Sequence, residues 1–229
     1  MKPNLLLDSA DINSWKELIP TGIFKGITTN PSLILKAGLS CELKVVKKLT
    51  QKAKHFGCKE IHIQAWGQTP EELRKCAYRL GKLNSNSLKV HIKIPLTSYG
   101  IKAASDLISK GQSITFTACF DIKQILIAAA LGATYIAPYL GRINDQGNDG
   151  INKIIKMNQT IKLLNSDCKI LVASIRDIQE IFALLPSGIN TFSISPNIAM
   201  DLLNSPSSIE ASDQFNKDAK RSQYLPNLN

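Results

Sequence analysis

Aromatic side chains are scarce in this sequence, where phenylalanine, tryptophan and tyrosine together make up 6% of the 229 residues. Proteins that hold single-stranded nucleic acid stack bases on exposed aromatic rings, so the scarcity argues against that class despite a net charge of +10. Long apolar runs are also missing, because residues 125–131 form the longest one and a membrane-spanning helix needs about 20 residues. We therefore expect neither a nucleic-acid partner nor a membrane.

Closely spaced cysteine pairs are absent as well. The five cysteines contain no CxxC motif, and the three histidines (His55, His62 and His91) lack metal-ligand spacing next to them. We expect reduced, structural thiols and neither a disulfide framework nor a metal site. The first residues, Met1-Lys2-Pro3-Asn4, lead into a strand-like segment without a small-residue cleavage site. No signal peptide is expected, and the predicted location is the cytoplasm.

Basic residues are spread along the whole chain. The densest group recurs at helical spacing and consists of Lys44, Lys47, Lys48, Lys52 and Lys54. This spacing favours the solvated face of a helix over a binding patch. An excess of positive charge also suits small anionic substrates such as sugar phosphates, because it raises their local concentration.

Strand-like and helix-like segments alternate from end to end, without a linker or low-complexity tract between them. The eight strand-like segments cover residues 4–8, 26–30, 60–66, 88–95, 113–120, 134–140, 169–175 and 191–195. Eight βα units in a chain of this length predict a single (β/α)8 TIM barrel, forming one domain over residues 1–229. The alternative is an open doubly wound sheet, whose dinucleotide-binding version needs a GxGxxG motif that is missing after the first strand.

Capping residues mark where the helices begin. Helices are predicted to start at Asp11, Thr69, Thr97, Asp121 and Asp177, and the last three of them to end at Gly111, Gly132 and Gly188. Residues 205–222 predict an additional C-terminal helix with a thin apolar stripe, suited either to a neighbouring subunit or to loose docking.

Polar side chains follow the strands at their carboxyl ends, where barrel enzymes carry their active sites. These candidate site residues are Asp8, Thr28, Asn30, Gln64, Lys93, Thr117, Tyr139, Arg142, Ser174 and Arg176, with Ser193 and Ser195 on the last strand.

Lys93 is unusual because it lies within Val90-His91-Ile92-Lys93-Ile94-Pro95, a segment otherwise suited to burial. Burial disfavours the charged form of an amine, and a free amine can attack a carbonyl to form a Schiff base, as in class I aldolases. The alternatives are a lysine that reaches outward to solvent and one that pairs with a carboxylate such as Asp8.

Two further features follow from the strand period. His91 shares a strand face with Lys93, and His62 shares one with Gln64, so both imidazoles are expected inside the barrel, one layer below the site. A hydrogen-bonded structural pair is the favoured interpretation, with electrostatic tuning of the lysine as the alternative.

A phosphate clamp is predicted from Arg142, Ser174 and Arg176, since guanidinium groups bind a dianion with paired donors. The alternative is a pair of surface arginines without a common ligand.

These residues resemble the family of small transaldolases and fructose-6-phosphate aldolases over nearly the whole chain. The resemblance rests on Leu7-Asp8-Ser9-Ala10-Asp11, Gly26-Ile27-Thr28-Thr29-Asn30-Pro31-Ser32, Lys93-Ile94-Pro95-Leu96-Thr97, Ala137-Pro138-Tyr139-Leu140-Gly141-Arg142 and Ala173-Ser174-Ile175-Arg176. It implies an enzyme without metal or organic cofactor that cleaves or transfers a dihydroxyacetone unit through a Schiff base.

The resemblance also implies roles for the candidate residues. Lys93 is then the Schiff-base lysine, Asp8 and Asn30 handle the sugar hydroxyls and protons, and Thr28 lines the site. Thr117 holds the catalytic water, and the predicted clamp of Arg142, Ser174 and Arg176 binds the phosphate.

Two positions bear on the choice between cleavage and transfer. Transaldolases usually carry glutamate and phenylalanine where this sequence has Gln64 and Tyr139, whereas fructose-6-phosphate aldolases carry glutamine and tyrosine. Both residues favour the aldolase, with fructose 6-phosphate as substrate, and a transaldolase proper of the pentose phosphate pathway remains the alternative. The family also implies a homo-oligomer, a pentamer or decamer, although Ala219 replaces a tryptophan that is common in the terminal helix.

A metal-independent isomerase on the same barrel is the competing enzyme class. It requires a carboxylate base at a strand end, and Asp8 is its clear candidate.

Overall fold

A computed structural model describes residues 2–222 of the chain. Its eight strands are β1 (Asn4–Asp8), β2 (Phe24–Thr29), β3 (Glu60–Gln64), β4 (Lys89–Pro95), β5 (Ile114–Cys119), β6 (Tyr135–Pro138), β7 (Lys169–Ile170) and β8 (Thr191–Ile194). Each one overlaps a strand predicted from the sequence.

The helices between them are α1 (Ile12–Leu18), α2 (Pro31–Lys36), α3 (Leu43–His55), α4 (Pro70–Gly81), α5 (Ser98–Ser109), α6 (Gln124–Leu131), α7 (Leu140–Asp145), α8 (Gly150–Leu163), α9 (Ile178–Leu184) and α10 (Pro196–Leu203). Short 3-10 turns follow α1 (Ile19–Thr21) and α9 (Leu185–Ser187). The additional C-terminal helix is α11 (Pro206–Ser222), as predicted, and its apolar residues Ile209 and Phe215 are exposed.

The strands form one parallel barrel. They pair in the order β7-β6-β5-β4-β3-β2-β1-β8, and a parallel bridge between Val172 and Phe192 connects the chain after β7 to β8. The predicted (β/α)8 architecture is therefore confirmed, and the open doubly wound sheet is excluded.

Local capping explains why most of the helices begin where they do. The side chains of Asp11, Thr69, Thr97 and Asp177 accept hydrogen bonds from backbone N–H groups in the first turns of α1, α4, α5 and α9. These are four of the five predicted N-caps. Removal of such a cap typically costs about 0.5–2 kcal/mol.

The fifth predicted start is wrong, because α6 begins at Gln124 rather than at Asp121. The Gln124 side-chain oxygen accepts hydrogen bonds from the backbone N–H groups of Phe120 and Asp121. It thereby stabilises a non-helical turn over the residues that were expected to open the helix.

The seventh strand is also shorter than predicted, since β7 covers two residues rather than the predicted seven. After β7, two isolated β-bridges continue the pairing with the segments on either side. Val172 pairs with Phe192, and Ala173 pairs with Tyr139. Ser174 then adopts a positive φ of 59°, which breaks the regular ladder.

Two apolar regions hold the barrel together. The larger one lies between the sheet and the helices and includes the fully buried Trp15, Phe116 and Phe192. A smaller cluster fills the inside of the barrel and consists of Leu6, Tyr135, Ala137 and Leu171. Polar side chains lie along the interior beyond this cluster, so the barrel is a packed core and not a channel.

The exposed basic helix face and the free thiols expected from composition are both present. The five lysines at helical spacing all lie exposed on α3, whose buried face is formed by Val46, Leu49, Thr50 and Ala53. The five cysteines are free thiols, and burial raises the pKa of Cys58 to about 11 and that of Cys168 to about 12. Across residues 2–222, no helix is long and apolar enough to cross a membrane.

Candidate active site

Lys93 lies in the middle of β4 and is 4% exposed. Its register neighbours on the two adjacent strands are Gln64 of β3 and Thr115 of β5, so the three side chains share the interior face of the barrel. Within the part of the chain that the structure describes, Lys93 forms no ion pair. Neither alternative for this lysine is observed, because it does not reach out to solvent and does not pair with Asp8. A buried lysine with no ionic partner among these residues can serve as the nucleophile that attacks a carbonyl.

Asp8 and Thr28 lie side by side at the ends of β1 and β2. The Thr28 hydroxyl donates to Asp8 Oδ1 over 2.6 Å and lies 2.5 Å from the hydroxyl of Ser193 on β8. Since the Thr28 hydrogen goes to the carboxylate, the hydrogen between the two hydroxyls comes from Ser193. The hydrogen bonds among these three side chains fix the orientation of the Asp8 carboxylate. The second carboxylate oxygen is left to take a proton.

Asn30 and Gln64 supply amide groups at the ends of β2 and β3. The Asn30 side-chain oxygen accepts a hydrogen bond from the backbone N–H of Leu33 and caps α2. This contact leaves the Asn30 amide hydrogens as the groups that can reach a sugar hydroxyl. Gln64 is half-buried beside Lys93 and, as an amide, it can position a water molecule without acting as a base.

Thr117 and Tyr139 are brought together by the neighbouring strands β5 and β6. Their hydroxyl groups are 2.7 Å apart. Phe120 packs edge-on against the Tyr139 ring with centroids 5.7 Å apart, and the Arg142 guanidinium lies over the same ring at 4.9 Å. The tyrosine ring is therefore held by Phe120 and Arg142, and its hydroxyl lies next to Thr117, which is predicted to hold the catalytic water.

The predicted clamp residues surround a close approach between two backbone segments. Gly141 donates its backbone N–H to the Ser174 carbonyl over 2.9 Å. A Cβ at this glycine would lie 2.6 Å from that carbonyl oxygen and 2.6 Å from the Arg176 Nε, so only glycine fits. Ser174 has a left-handed φ of 59°, a conformation that is costly for serine and that clusters at functional sites.

Asp145 is a charged neighbour of the clamp that the sequence did not single out. Both terminal nitrogens of Arg176 donate to the two oxygens of this carboxylate. Hydrogen bonds from Arg176, and in addition the charge of Arg142, lower the pKa of Asp145 below its ordinary value. Both arginines are exposed, Arg176 is paired with Asp145, and a phosphate group would compete with this carboxylate for Arg176.

The two histidines lie inside the barrel, as the strand period predicts. Their rings are stacked with centroids 4.3 Å apart. The ring nitrogens Nδ1 contact hydroxyls, His62 that of Thr115 at 2.9 Å and His91 that of Ser113 at 2.6 Å. Burial lowers the pKa of His62 to about 3, and the charge of Lys93 acts in the same direction. Burial likewise lowers the pKa of His91, so both imidazoles are neutral.

Glu60, at the start of β3, is a second residue that the sequence analysis missed. Its buried carboxylate pairs with Lys25 over 2.8 Å and faces both imidazoles. Burial alone would raise the pKa of Glu60, but the contacts with His62, His91 and Lys25 outweigh it and hold the pKa below its ordinary value. A glutamate at a strand start, within an alternating pattern, carries no local signal that separates it from a surface residue.

The fold is a parallel barrel, and these side chains lie at the carboxyl ends of its strands, where barrel enzymes carry their active sites. The chain belongs to the Transaldolase/Fructose-6-phosphate aldolase family, which it matches over residues 5–225. It is accordingly an enzyme of the aldolase and transferase type, as the sequence motifs predicted.

Curated relatives match nearly end to end. The chain is 33% identical over 220 residues to a "Probable transaldolase" of Chelativorans sp. (strain BNC1), covering 96% of this chain and 98% of that protein. It is 29% identical over 219 residues to the "Probable transaldolase 2" of Bacillus anthracis, with 96% and 98% covered. A "Probable transaldolase" of Bartonella henselae is 33% identical over 215 residues, with 94% and 95% covered.

Solved structures share the fold at low identity. A crystal structure of a mandelate oxidase variant superposes with a TM-score of 0.57 at 10% identity. The match covers 85% of this chain and 66% of the oxidase, so the chain spans about two thirds of that protein's length. At this identity the similarity concerns the barrel alone.

Proposed function

We propose that this enzyme cleaves or transfers the dihydroxyacetone unit of fructose 6-phosphate through a Schiff base on Lys93, without metal or organic cofactor in the reaction. The observation that carries the proposal is the buried, unpaired amine of Lys93 among the polar strand ends of a barrel in this family.

The first steps form the covalent intermediate. The Lys93 amine attacks C2 of the open-chain ketose, and loss of water from the resulting carbinolamine leaves a protonated imine. Asp8 accepts the proton of the C4 hydroxyl while the bond between C3 and C4 breaks. The electrons of the C3–C4 bond flow into the imine to give an enamine, and glyceraldehyde 3-phosphate is released. The Asn30 amide donates to the sugar hydroxyls, and Thr28 and Ser193 keep the carboxylate in place.

The fate of the enamine separates the two activities. Protonation at C3 and attack of water on the imine release dihydroxyacetone and regenerate Lys93, which is the aldolase reaction. Addition of the enamine to an aldehyde phosphate such as erythrose 4-phosphate gives a new ketose phosphate, which is the transaldolase reaction. We assign the aldolase reaction because the Tyr139 hydroxyl contacts that of Thr117 at 2.7 Å and because Gln64 replaces a carboxylate beside Lys93.

The transaldolase reaction is the second candidate. The names of the curated relatives, each a "Probable transaldolase", favour it. In that case the pathway is the pentose phosphate pathway, with sedoheptulose 7-phosphate as donor and glyceraldehyde 3-phosphate as acceptor. For either reaction we propose a cytoplasmic homo-oligomer, a pentamer or decamer.

The partition between the two reactions tests this assignment. Wild-type protein should release dihydroxyacetone from fructose 6-phosphate without any acceptor. The double variant Gln64→Glu with Tyr139→Phe should release less of it while keeping or gaining transfer to erythrose 4-phosphate, because it gains a possible base and loses a proton donor. The quantity to measure is the ratio of the two rates. Wild-type protein that transfers readily but releases no dihydroxyacetone would establish the transaldolase instead.

A second prediction concerns the phosphate clamp. Arg142→Ala should raise KM for phosphorylated substrates about 10- to 150-fold, the expected cost of one charge-assisted contact, and leave KM for free glyceraldehyde nearly unchanged. Arg79→Ala, which removes an exposed arginine of α4, serves as the matched control. An equal effect of Arg142→Ala on phosphorylated and unphosphorylated substrates would place the phosphate elsewhere.

A further inference from the structure

Three buried side chains converge inside the barrel near the amino-terminal ends of the strands, away from the proposed reaction site. They are Glu60, His62 and His91, which are 4%, 0% and 2% exposed. One potential ligand atom from each lies within 4.8 Å of the other two. We call these three residues the Glu60–His62–His91 cluster.

The hydrogen bonds of the cluster leave its inward-facing atoms without partners. Each imidazole contacts a hydroxyl through Nδ1 and turns Nε2 toward Glu60, at 3.7 Å from a carboxylate oxygen. This distance is too long for a hydrogen bond. Among the described residues, Glu60 Oε1 and both Nε2 atoms have no hydrogen-bond partner. Buried polar atoms of this kind are uncommon in native proteins and call for an explanation.

The hydroxyl contacts are compatible with either imidazole tautomer. Thr115 and Ser113 can donate to Nδ1 or accept from it, and Ser113 is itself 2.8 Å from the Thr134 hydroxyl. When Nδ1 carries the hydrogen, Nε2 turns its lone pair toward Glu60, and this is the tautomer that a metal ion requires. A bound cation would select this tautomer in both imidazoles.

We propose that the Glu60–His62–His91 cluster binds one divalent transition-metal ion of the zinc type. Two imidazoles and one carboxylate are a common zinc ligand set, with metal–ligand distances of about 2.0–2.2 Å. Each Nε2 lies 3.7 Å from a carboxylate oxygen, a separation that such an ion can bridge once the stacked rings turn so that both lone pairs meet at it. The Thr115 and Ser113 hydroxyls at the opposite ring nitrogens can accept the hydrogen that a metal-binding histidine donates to an outer partner.

An ion can approach the cluster from the amino-terminal end of the barrel. A cavity of about 770 Å³ opens there, and its lining includes Lys25 and Tyr135. The Tyr135 ring packs edge-on against both imidazoles at 5.1 Å. Lys25 holds Glu60 from this side, but its side chain is 45% exposed and has room to turn into solvent. Lys25 therefore competes with the ion for the carboxylate.

The position of the site indicates a structural role. The ion would join the adjacent strands β3 and β4 below the layer of Gln64 and Lys93, and it takes no part in the Schiff-base reaction. At a metal concentration about 100 times the dissociation constant, binding should raise Tm by roughly 5–10 °C.

The test starts from chelator-treated wild-type protein. Titration with Co²⁺ should give visible absorption that saturates at one ion per chain, and Zn²⁺ should displace Co²⁺ and raise Tm. Glu60→Gln and His91→Gln should each lose the absorption and the rise in Tm, whereas His55→Gln, which changes the third histidine on the outer helix α3, should keep both. Far-UV circular dichroism checks that the variants fold.

The Zn²⁺ affinity of Lys25→Met is a further test, because a cluster with a merely structural role would not bind the ion more tightly in this variant. Removing the competing ammonium group should tighten Zn²⁺ binding at least about tenfold. If the folded wild-type protein takes up no ion at saturating metal concentration, the proposal is overturned. Uptake that His91→Gln and Glu60→Gln leave unchanged would overturn it as well.

Discussion

Lys93→Met should lower kcat for fructose 6-phosphate cleavage by at least about three orders of magnitude, since loss of a covalent nucleophile removes the intermediate itself. Methionine matches the length of the lysine stem, so packing should be kept. The measurement is steady-state release of glyceraldehyde 3-phosphate, followed with a coupled assay. Lys89→Ala is the matched control, because Lys89 lies on the same strand but is exposed at its beginning.

The stability of Lys93→Met distinguishes a lost nucleophile from a lost fold. A buried amine without an ionic partner costs free energy, so replacing it with an apolar side chain should leave Tm unchanged or raise it. An inactive variant with a markedly lower Tm would indicate that Lys93 supports the barrel. This outcome would contradict the assignment of Lys93 as the nucleophile.

Asp8→Asn should lower kcat about 10²- to 10⁴-fold, the usual contribution of a general base. Asparagine keeps the oxygen that accepts the Thr28 hydroxyl at 2.6 Å, so the chain of hydrogen bonds to Ser193 should survive while proton uptake is lost. Asp11→Asn is the control, because Asp11 caps α1 and asparagine caps helices equally well.

The covalent state of Asp8→Asn gives a sharper readout than its rate. A variant that forms the imine but fails to break the bond between C3 and C4 should accumulate the hexose phosphate on Lys93. Reduction with borohydride should then attach the whole six-carbon sugar phosphate, seen by mass spectrometry. A three-carbon adduct formed at the wild-type rate would show that another group accepts the C4 hydroxyl proton.

Much of this site could be predicted because it follows from strand periodicity. In a parallel barrel the carboxyl ends of all strands meet at one face, so Asp8, Lys93 and Thr117 were predicted together without any tertiary information. The same period placed His62 and His91 on one interior face, where their rings stack at 4.3 Å.

The contacts that escaped prediction join distant segments of the chain. Asp145 lies 31 positions from Arg176 in the chain, and Ser193 lies 165 from Thr28. Neither pairing has a local pattern, because each is set by how one loop or strand closes against another. Glu60 was missed for the same reason, since only the closed barrel brings it to both histidines and to Lys25.

Irregular backbone accounts for the errors in element bounds. The start of α6 moved because the Gln124 side chain occupies the preceding backbone N–H groups. The strand β7 ends at Ile170, single bridges continue to Ala173, and the positive φ of Ser174 follows them. Ser174 is one of the predicted clamp residues, which agrees with the tendency of strained backbone to occur at functional positions.

The most direct test of the central claim is borohydride trapping of the wild-type enzyme with fructose 6-phosphate, followed by peptide mass spectrometry. We expect inactivation and one reduced three-carbon adduct per chain, on the peptide that contains Lys93, and no adduct in Lys93→Met. An isomerase that uses Asp8 as its base would form no adduct under these conditions. An adduct on another lysine, or full activity after treatment, would contradict the assignment of Lys93.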